Sequence, residues 1–440
     1  MNESRRVLGD YFELVRGTTY KSAFIGLPGP VLLGLGTIGR DGGFRDDSLR
    51  TYGGESPERL LVRPGELYLS LKDVTQSGDL LGSVARVPKH VSVGRLTQDT
   101  VRLDARTGDA PMAFLYWLLR TPEYRGYCRS RATGTTNLGL SRDDFLSFGV
   151  PVPTDEQQAT CRALDALDEK IELNRRMSQT LEAIAQAIFK SWFVHFEPVR
   201  AKASGDSDEA IQARLSIDDQ TLAMFPSTLD ESELGLVPSG WSIEPISSLA
   251  EIAGGSTPGT KESAFWEGGI HYWATPKDLS PLQTPVLLRT ERCVTHQGLG
   301  QISSGLLPPG TVLLSSRAPI GYRAIAEVPV AINQGFIALK PAEGVPSLFL
   351  LRWLESAHQE IVSRANGSTF LEISKSAFRA IKLVVPPRPL LTAYARACEP
   401  IYRRVVANER ESLALVELRN SLLPELLSGN LPVDVEELPP

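Results

Sequence analysis

The sequence predicts an α+β fold in which two similar domains are separated by a pair of long antiparallel coiled-coil helices, with an internal pseudo-two-fold repeat. Three observations predict it. The middle of the chain carries a long uninterrupted helical run, a second run near the C-terminus carries the same seam, and a repeated block leads into each.

The central run spans Thr154 to Phe196. Thr154 with Gln157 three residues on, just after Pro153, makes a capping-box start, and no Pro or Gly follows until Pro198. Leu164, Ile171, Ser178, Ala185 and Trp192 form one row of a seam; Leu167, Asn174, Leu181 and Ile188 form the other. Alternating steps of three and four mark a helix packed lengthwise on another helix. At about 1.5 Å per residue, roughly forty residues make a rod of roughly 60 Å. Such a rod needs a long partner to cover its stripe.

The same chain supplies one. Ile401, Val405, Asn408, Ser412, Leu415 and Leu422 repeat the spacing, and Asn174 aligns with Asn408 as Ser178 does with Ser412. A matching Asn in two apolar seams predicts a buried amide pair, Asn174 with Asn408, that fixes register. The alternative is a lone polar residue turned to solvent.

The domains follow: 1–153 and 237–387 as the two similar units, 154–196 as the central helix, 197–236 as a polar linker, and 388–440 as the C-terminal helix and tail. A chain of 440 residues is too long for one core. Its net charge of −6 argues against a nucleic-acid binder working alone, and leaves room for one whose partners supply part of a positive groove. Cys128, Cys161, Cys293 and Cys398 lie far apart without a C-x-x-C, so they read as small buried residues in a reducing compartment. The opening MNESRRVLGDYFEL lacks the apolar core of a signal peptide, and no apolar run is long enough for a membrane span. The expected location is cytoplasmic.

In the first unit, Pro28-Gly29-Pro30, Gly42-Gly43, Gly53-Gly54 and Pro64-Gly65 punctuate short β-rich runs. One helical stretch is expected over Ala110–Arg131, with Phe114, Leu115, Leu118 and Leu119 as its apolar face. Gly34-Leu35-Gly36-Thr37-Ile38-Gly39 fits the dinucleotide fingerprint, but that motif needs its last Gly to open a helix. Arg40-Asp41-Gly42-Gly43 follows instead, a turn sequence, so the stretch reads as a loop where backbone turns tightly or approaches something closely. The acid-rich segment 199–237 reads as a solvated connection.

In the second unit, the stretch from Gly254 to Lys261 resembles a phosphate loop but fails in detail. Thr260 stands between the last Gly and Lys261, and Glu262 follows the Lys. Trp273-Ala274-Thr275-Pro276-Lys277, then Ser315 to Arg323, then Ala331 to Phe336 mix cationic and amide side chains with Gly and aromatic residues. Arg317 and Gln334 can make bidentate base contacts, Asn333 suits adenine edges, Tyr322 adds an aromatic ring, and Lys277 and Arg323 suit phosphates. Ordinary polar loops are the plainer alternative.

The repeat favours the reading of targets. RATGTTNLGLSRDDFLSFGVPVP, from Arg131, aligns with RANGSTFLEISKSAFRAIKLVVP, from Arg364. Each block then enters its long helix, while the loops upstream diverge. Two copies of one frame with different loops are what a reader of two different short targets requires.

At these residues the chain resembles the specificity subunits of type I restriction-modification systems. The likeness covers nearly the whole chain and is most specific over Lys170–Lys202, Ser315–Leu339 and Leu418–Gly429. It implies two target-recognition domains, each reading one half of a split double-stranded DNA target, with the helix pair as a ruler. It also implies a non-catalytic subunit that binds two modification (methyltransferase) subunits, joined by restriction (endonuclease and translocase) subunits. No cofactor is expected in this chain; S-adenosylmethionine, ATP and magnesium would belong to the partner subunits. On the resemblance, candidate DNA contacts are Thr18, Lys21, Arg40, Lys72 and Thr135 in the first domain. In the second they are Thr257, Lys261, Lys277, Arg317, Tyr322, Arg323, Asn333, Gln334 and Ser368. The departures are Pro400, which puts the straightness of the second helix in question, and the lack in the first domain of a Trp-led opening like that at Trp241.

Residue chemistry agrees with a chain that does no catalysis. It has no Asn-Pro-Pro-Tyr or Asp-Pro-Pro-Tyr stretch of a base-flipping adenine methyltransferase. Asp168-Glu169-Lys170 matches part of a nuclease site but falls mid-helix, where three charges suit a solvated coiled-coil face. Five His without paired spacing support no metal site. The competing functions are a nucleotide-binding enzyme using the Gly34–Gly39 loop and a scaffold binding protein only.

Overall fold

The structure is a computed structural model, and it describes residues 6–40, 42–46, 49–75, 77–108, 110–135, 137–367 and 371–428. The chain forms two compact units, Met1–Ile171 with Ala414–Pro440, and Glu172–Leu413. Among the described residues no helix is long and apolar enough to cross a membrane.

The first unit is built on a four-stranded antiparallel sheet in the order Phe12–Arg16, Thr100–Ala105, Leu67–Ser70, Val84–Arg86. Beside it lies a small sheet in which Val31–Leu33 runs parallel to Gly94–Leu96. The expected single helix over 110–131 is two, Met112–Leu118 and Pro122–Ser130. Pro122 has no N–H to continue the first helix, and Thr121 caps the second by accepting from the Tyr124 N–H. Their apolar faces bury Phe114, Leu115, Trp117 and Tyr124 against the sheet.

The second unit repeats the plan. Its five-stranded sheet runs Ala250–Gly254, Phe336–Pro341, Val312–Ser315, Arg323–Ala326, Val286–Leu287. A small sheet again holds a parallel pair, His271–Ala274 with Val330–Ile332. Ser347–Ser356 and His358–Ser363 take the places of the two helices of the first unit.

The two long helices are Asp155–Phe189 and Arg388–Ser428. The capping box forms: the Thr154 N–H donates to Gln157 Oε1 at 3.0 Å, and the Gln157 N–H to Thr154 Oγ1 at 3.2 Å. At its far end the first helix widens into a five-residue turn over Lys190–Val194, closed by the His195 N–H on the Lys190 carbonyl at 2.8 Å. Phe196, at φ 52°, then turns the chain out.

Within each unit the helices run antiparallel. In the first, Arg419 pairs with Asp168 at 2.8 Å, and Leu164 and Leu422 share a core. In the second, the rings of Trp192 and Tyr394 lie 6.0 Å apart. Asn174 and Asn408 are both buried, but the expected amide pair is replaced by a crosswise arrangement. The Asn408 amide donates to Ser178 Oγ at 3.2 Å, and the Asn174 amide to Glu411 Oε2 at 2.8 Å and Ser412 Oγ at 3.4 Å. An antiparallel two-fold sets each Asn opposite the other helix's Ser, one turn away. Neither Asn Oδ1 has a partner. An orphaned buried acceptor costs about 1–3 kcal/mol.

The second helix is continuous through Pro400. One hydrogen bond is lost, but Cys398, Tyr402 and Val405 on either side are buried and hold the turn in place. The segment 197–236 is no solvated linker. It folds as three helices, Glu197–Ala203, Asp208–Leu215 and Asp219–Ala223, and a hairpin of Leu229–Ser232 with Gly235–Pro238. Its sparse apolar residues Val199, Ile211, Leu222 and Phe225 join the core that holds Trp192 and Trp241, with the Phe225 ring 5.5 Å from that of Trp192 and 6.3 Å from that of Trp241. Its polar residues start helices: Ser207 accepts from the Ala210 N–H at 3.3 Å, and Asp218 from the Thr221 N–H at 2.8 Å.

Candidate nucleic-acid interface

Each unit gathers its loops at one edge of its frame, and a glycine sets the spacing there. A Cβ on Gly17 would stand 1.9 Å from the Thr97 carbonyl oxygen, and one on Gly255 would stand 1.8 Å from that of Ile332. Only glycine lets the backbone pass so close. After each comes a single turn with the same sequence, Ser22-Ala23-Phe24 and Ser263-Ala264-Phe265. Matching the sheet registers makes Lys72 the counterpart of Arg317. Lys72 lies opposite Gly139 and Arg317 opposite Glu372, and the next residues bond alike, Leu140 N–H to Leu71 O and Ile373 N–H to Ser316 O. Gln98 is likewise the counterpart of Gln334, two residues beyond the parallel pair.

In the second unit a run of backbone hydrogen bonds ties five loops together. The Ser256 N–H donates to Ile332 O at 3.1 Å, Asn333 N–H to Ala274 O at 3.0 Å, Ser316 N–H to Gly335 O at 2.8 Å and Ile373 N–H to Ser316 O at 3.1 Å. This brings Thr257, Lys277, Arg317, Asn333 and Gln334 to one edge. The Thr257 hydroxyl donates to Gln334 Oε1. Asn333 Oδ1 accepts from the Gly335 N–H at 2.9 Å, which shapes the turn. Arg317 pairs with Glu372 at 3.4 Å. Lys277 is exposed on the turn that Thr275 and Asp278 cap, and Lys261 is exposed on the loop after Gly255.

Tyr322 and Arg323 are not brought to that edge. Tyr322 is half-buried and packs into the core that holds Leu279, Leu313 and Ala324. Arg323 pairs with Glu355 at 3.0 Å, and Glu355 also accepts from Gln186 of the first long helix at 2.7 Å. The geometry commits Arg323 to joining sheet and helix. Ser368 lies outside the described residues.

In the first unit, Thr18 and Lys72 reach the corresponding edge. Thr18 accepts from Arg95 at 3.3 Å and bridges to Thr97, and Lys72 pairs with Asp99 at 3.0 Å. Lys21 is exposed on the next loop, with its N–H on the Tyr52 hydroxyl at 3.3 Å. Thr135 is exposed on the loop that closes through Thr133 and Gly139. Arg40 is exposed, and its carbonyl accepts from Ser83 beneath the 71–83 loop at 3.2 Å. The Gly34–Gly39 stretch makes one turn over Leu35–Thr37 and is extended at Ile38. It offers no helix N-terminus to a pyrophosphate. The Tyr68 hydroxyl holds it from below, donating to Thr37.

Sequence reasoning missed Gln98, Asp99 and Glu372. The repeated Ser-Ala-Phe was the signal that could have aligned the upstream halves and exposed them.

Charge is anchored beneath the loops as well. Burial alone would raise the Asp73 carboxyl, but hydrogen bonds from the Leu80 and Thr75 N–H groups and the Thr75 hydroxyl, with Arg125 nearby, hold it below its ordinary value. The cysteines are free. Burial pushes the Cys161 thiol up to about 12 and the Cys398 thiol to about 11, which suits packing and not reactivity.

Comparison with known proteins places this geometry. Residues 238–390 match the family described as type I restriction modification DNA specificity domain. The chain is similar to the type I restriction enzyme HindI specificity subunit of Haemophilus influenzae, at 28% identity over 72% of this chain and 77% of that protein. It is also similar to the type I restriction enzyme MjaIX specificity subunit of Methanocaldococcus jannaschii, at 39% identity over 36% of each. A crystal structure of a type I restriction-modification system S subunit from M. genitalium shares the fold, with a TM-score of 0.58 over 97% of both chains at 15% identity.

Proposed function

We propose that this chain, which is similar to specificity subunits of type I restriction-modification systems and matches their DNA specificity domain over residues 238–390, is such a subunit: it reads a bipartite DNA target, one half-site per unit, and does no chemistry itself. The observation that carries this reading is the doubled frame: two units with matched strand registers, each closing different loops onto a glycine-set edge. A repeated frame with divergent loops is what independent readout of two sequences needs. Arg317 is suited to a bidentate contact with guanine O6 and N7, and Gln334 to adenine N6 and N7. Lys277 is suited to a phosphate, which positions the protein without reading sequence.

In this reading the chain docks two modification subunits, which transfer methyl groups from S-adenosylmethionine to adenine. Restriction subunits add ATP- and magnesium-dependent cleavage. The net charge of −6 fits a reader whose partners supply much of the positive groove. The register-fixing asparagines Asn174 and Asn408 suit a helix pair that sets the spacing between half-sites.

Methylome sequencing of a host with and without this chain tests the proposal. Methylation at one two-part adenine motif with a fixed spacer should vanish when the chain is removed. A continuous motif, or an unchanged methylome, would overturn it.

A further inference from the structure

The two units place a cation at the same point of the frame, and each ties it to a carboxylate of different origin. Lys72 and Arg317 are equivalent by register, at the end of the central strand beside the loop edge. Lys72 pairs with Asp99, from the turn after Gly94–Leu96, at 3.0 Å. Arg317 pairs with Glu372, from the strand position that Gly139 fills in the first unit, at 3.4 Å. The counterpart of Asp99 in the second unit is Gly335, so neither unit has both carboxylates. One pairing has been built twice, from different segments of the frame, on loops that otherwise differ.

We propose that Asp99 and Glu372 are specificity-determining residues that keep the strand-end cation from binding any phosphate it meets. The inference rests on the DNA-reading function proposed above. An unpaired Lys or Arg at this edge would contact backbone phosphate on every sequence and raise non-specific affinity. A carboxylate beside it removes that net charge and repels the DNA backbone. The cation leaves its partner only where base-edge acceptors replace the carboxylate oxygens, as guanine does for Arg. The carboxylate thus acts through the cation, as a positioning residue, and never needs to touch DNA.

The test uses the chain in complex with its modification subunits, with a duplex carrying the methylated motif and duplexes altered in one half. Glu372→Gln should tighten binding to the altered duplexes and narrow the ratio between target and non-target. Its non-target affinity should fall about three- to fourfold further than wild type between 50 and 200 mM salt, the signature of one added phosphate contact. In an Arg317→Ala background the same substitution should change neither quantity, which a general loosening of the loop would not reproduce. Asp99→Asn with Lys72→Ala should repeat the pattern for the first unit. If Glu372→Gln and Asp99→Asn leave non-target affinity and salt dependence at wild-type values, or shift them equally without the cation, the assignment is wrong. If the wild-type complex holds target and altered duplexes equally, the DNA-reading function fails with it.

Discussion

The connection that follows the cation-bearing strand is built differently in the two units. In the first unit residues 71–83 join Leu67–Ser70 to Val84–Arg86. The chain there wraps around the buried Asp73 carboxylate, which accepts from the Leu80 N–H at 2.7 Å, the Thr75 N–H at 2.7 Å and the Thr75 hydroxyl at 2.8 Å. In the second unit residues 316–322 make the same connection. A buried serine suffices: Ser315 Oγ accepts from the Gly321 and Tyr322 N–H groups at 3.1 and 2.8 Å and donates to the Pro319 carbonyl at 2.8 Å. A long loop exposes many backbone donors and needs a group with several acceptors. A short one closes on a single hydroxyl. The strands set where the cation stands, and the loop root decides only how the chain gets there.

The largest expected effect bears on the independence of the units. Exchanging residues 237–387 for the equivalent segment of a relative should replace one half of the methylated motif completely and leave the other half and the spacer unchanged. Methylome sequencing reads this directly, and a change in both halves would break the comparison.

Next come the two glycines. Gly17→Ala and Gly255→Ala should each destabilise their own unit by about 3 kcal/mol or more, since overpacking against rigid backbone exceeds the usual 1–3 kcal/mol. Thermal unfolding of the two variants should show similar losses. A tolerated alanine at either position would mean that the edges are not built alike.

The two loop roots should differ in kind. Asp73→Asn removes charge-assisted hydrogen bonds and should cost about 2–3 kcal/mol, whereas Ser315→Ala should cost about 1 kcal/mol. Only the first effect depends on pH. The folded Asp73 carboxyl lies below its ordinary value of 3.8, so its stabilisation is complete above that value and is lost as pH falls through the depressed folded value. Melting curves from neutral pH downward should therefore show the gap between wild type and Asp73→Asn closing only below pH 3.8, while the Ser315→Ala gap stays constant.

The smallest effects separate reading from holding within the second unit. Arg317→Ala should lower discrimination at that half-site by about 1–3 kcal/mol. Lys277→Ala should weaken all duplexes alike and flatten the salt dependence by about one contact. Affinities for the target and a one-base variant at two salt concentrations distinguish them. An intact affinity ratio with a lowered melting temperature for Arg317→Ala would make that residue architectural.

The sequence by itself determined whatever rests on local chemistry or on repetition. The capping box at Thr154 and Gln157, the seam through Leu164, Asn174 and Ser178, and the end block from Arg131 and Arg364 are short-range patterns, and the folded chain keeps all three. What only the tertiary structure decided depends on residues distant in the chain. Asn174 meets Ser412, and Asn408 meets Ser178, because antiparallel packing offsets each polar position by a turn. Segment 197–236 folds because its scattered apolar side chains join the core that holds Trp192 and Trp241, a placement that its acid-rich composition hides. Arg323, set among DNA-facing candidates by its neighbours in sequence, turns to Glu355 because strand alternation sends it to the helix side of the sheet. The loop edge itself joins residues from five loops, and no window of sequence holds them together.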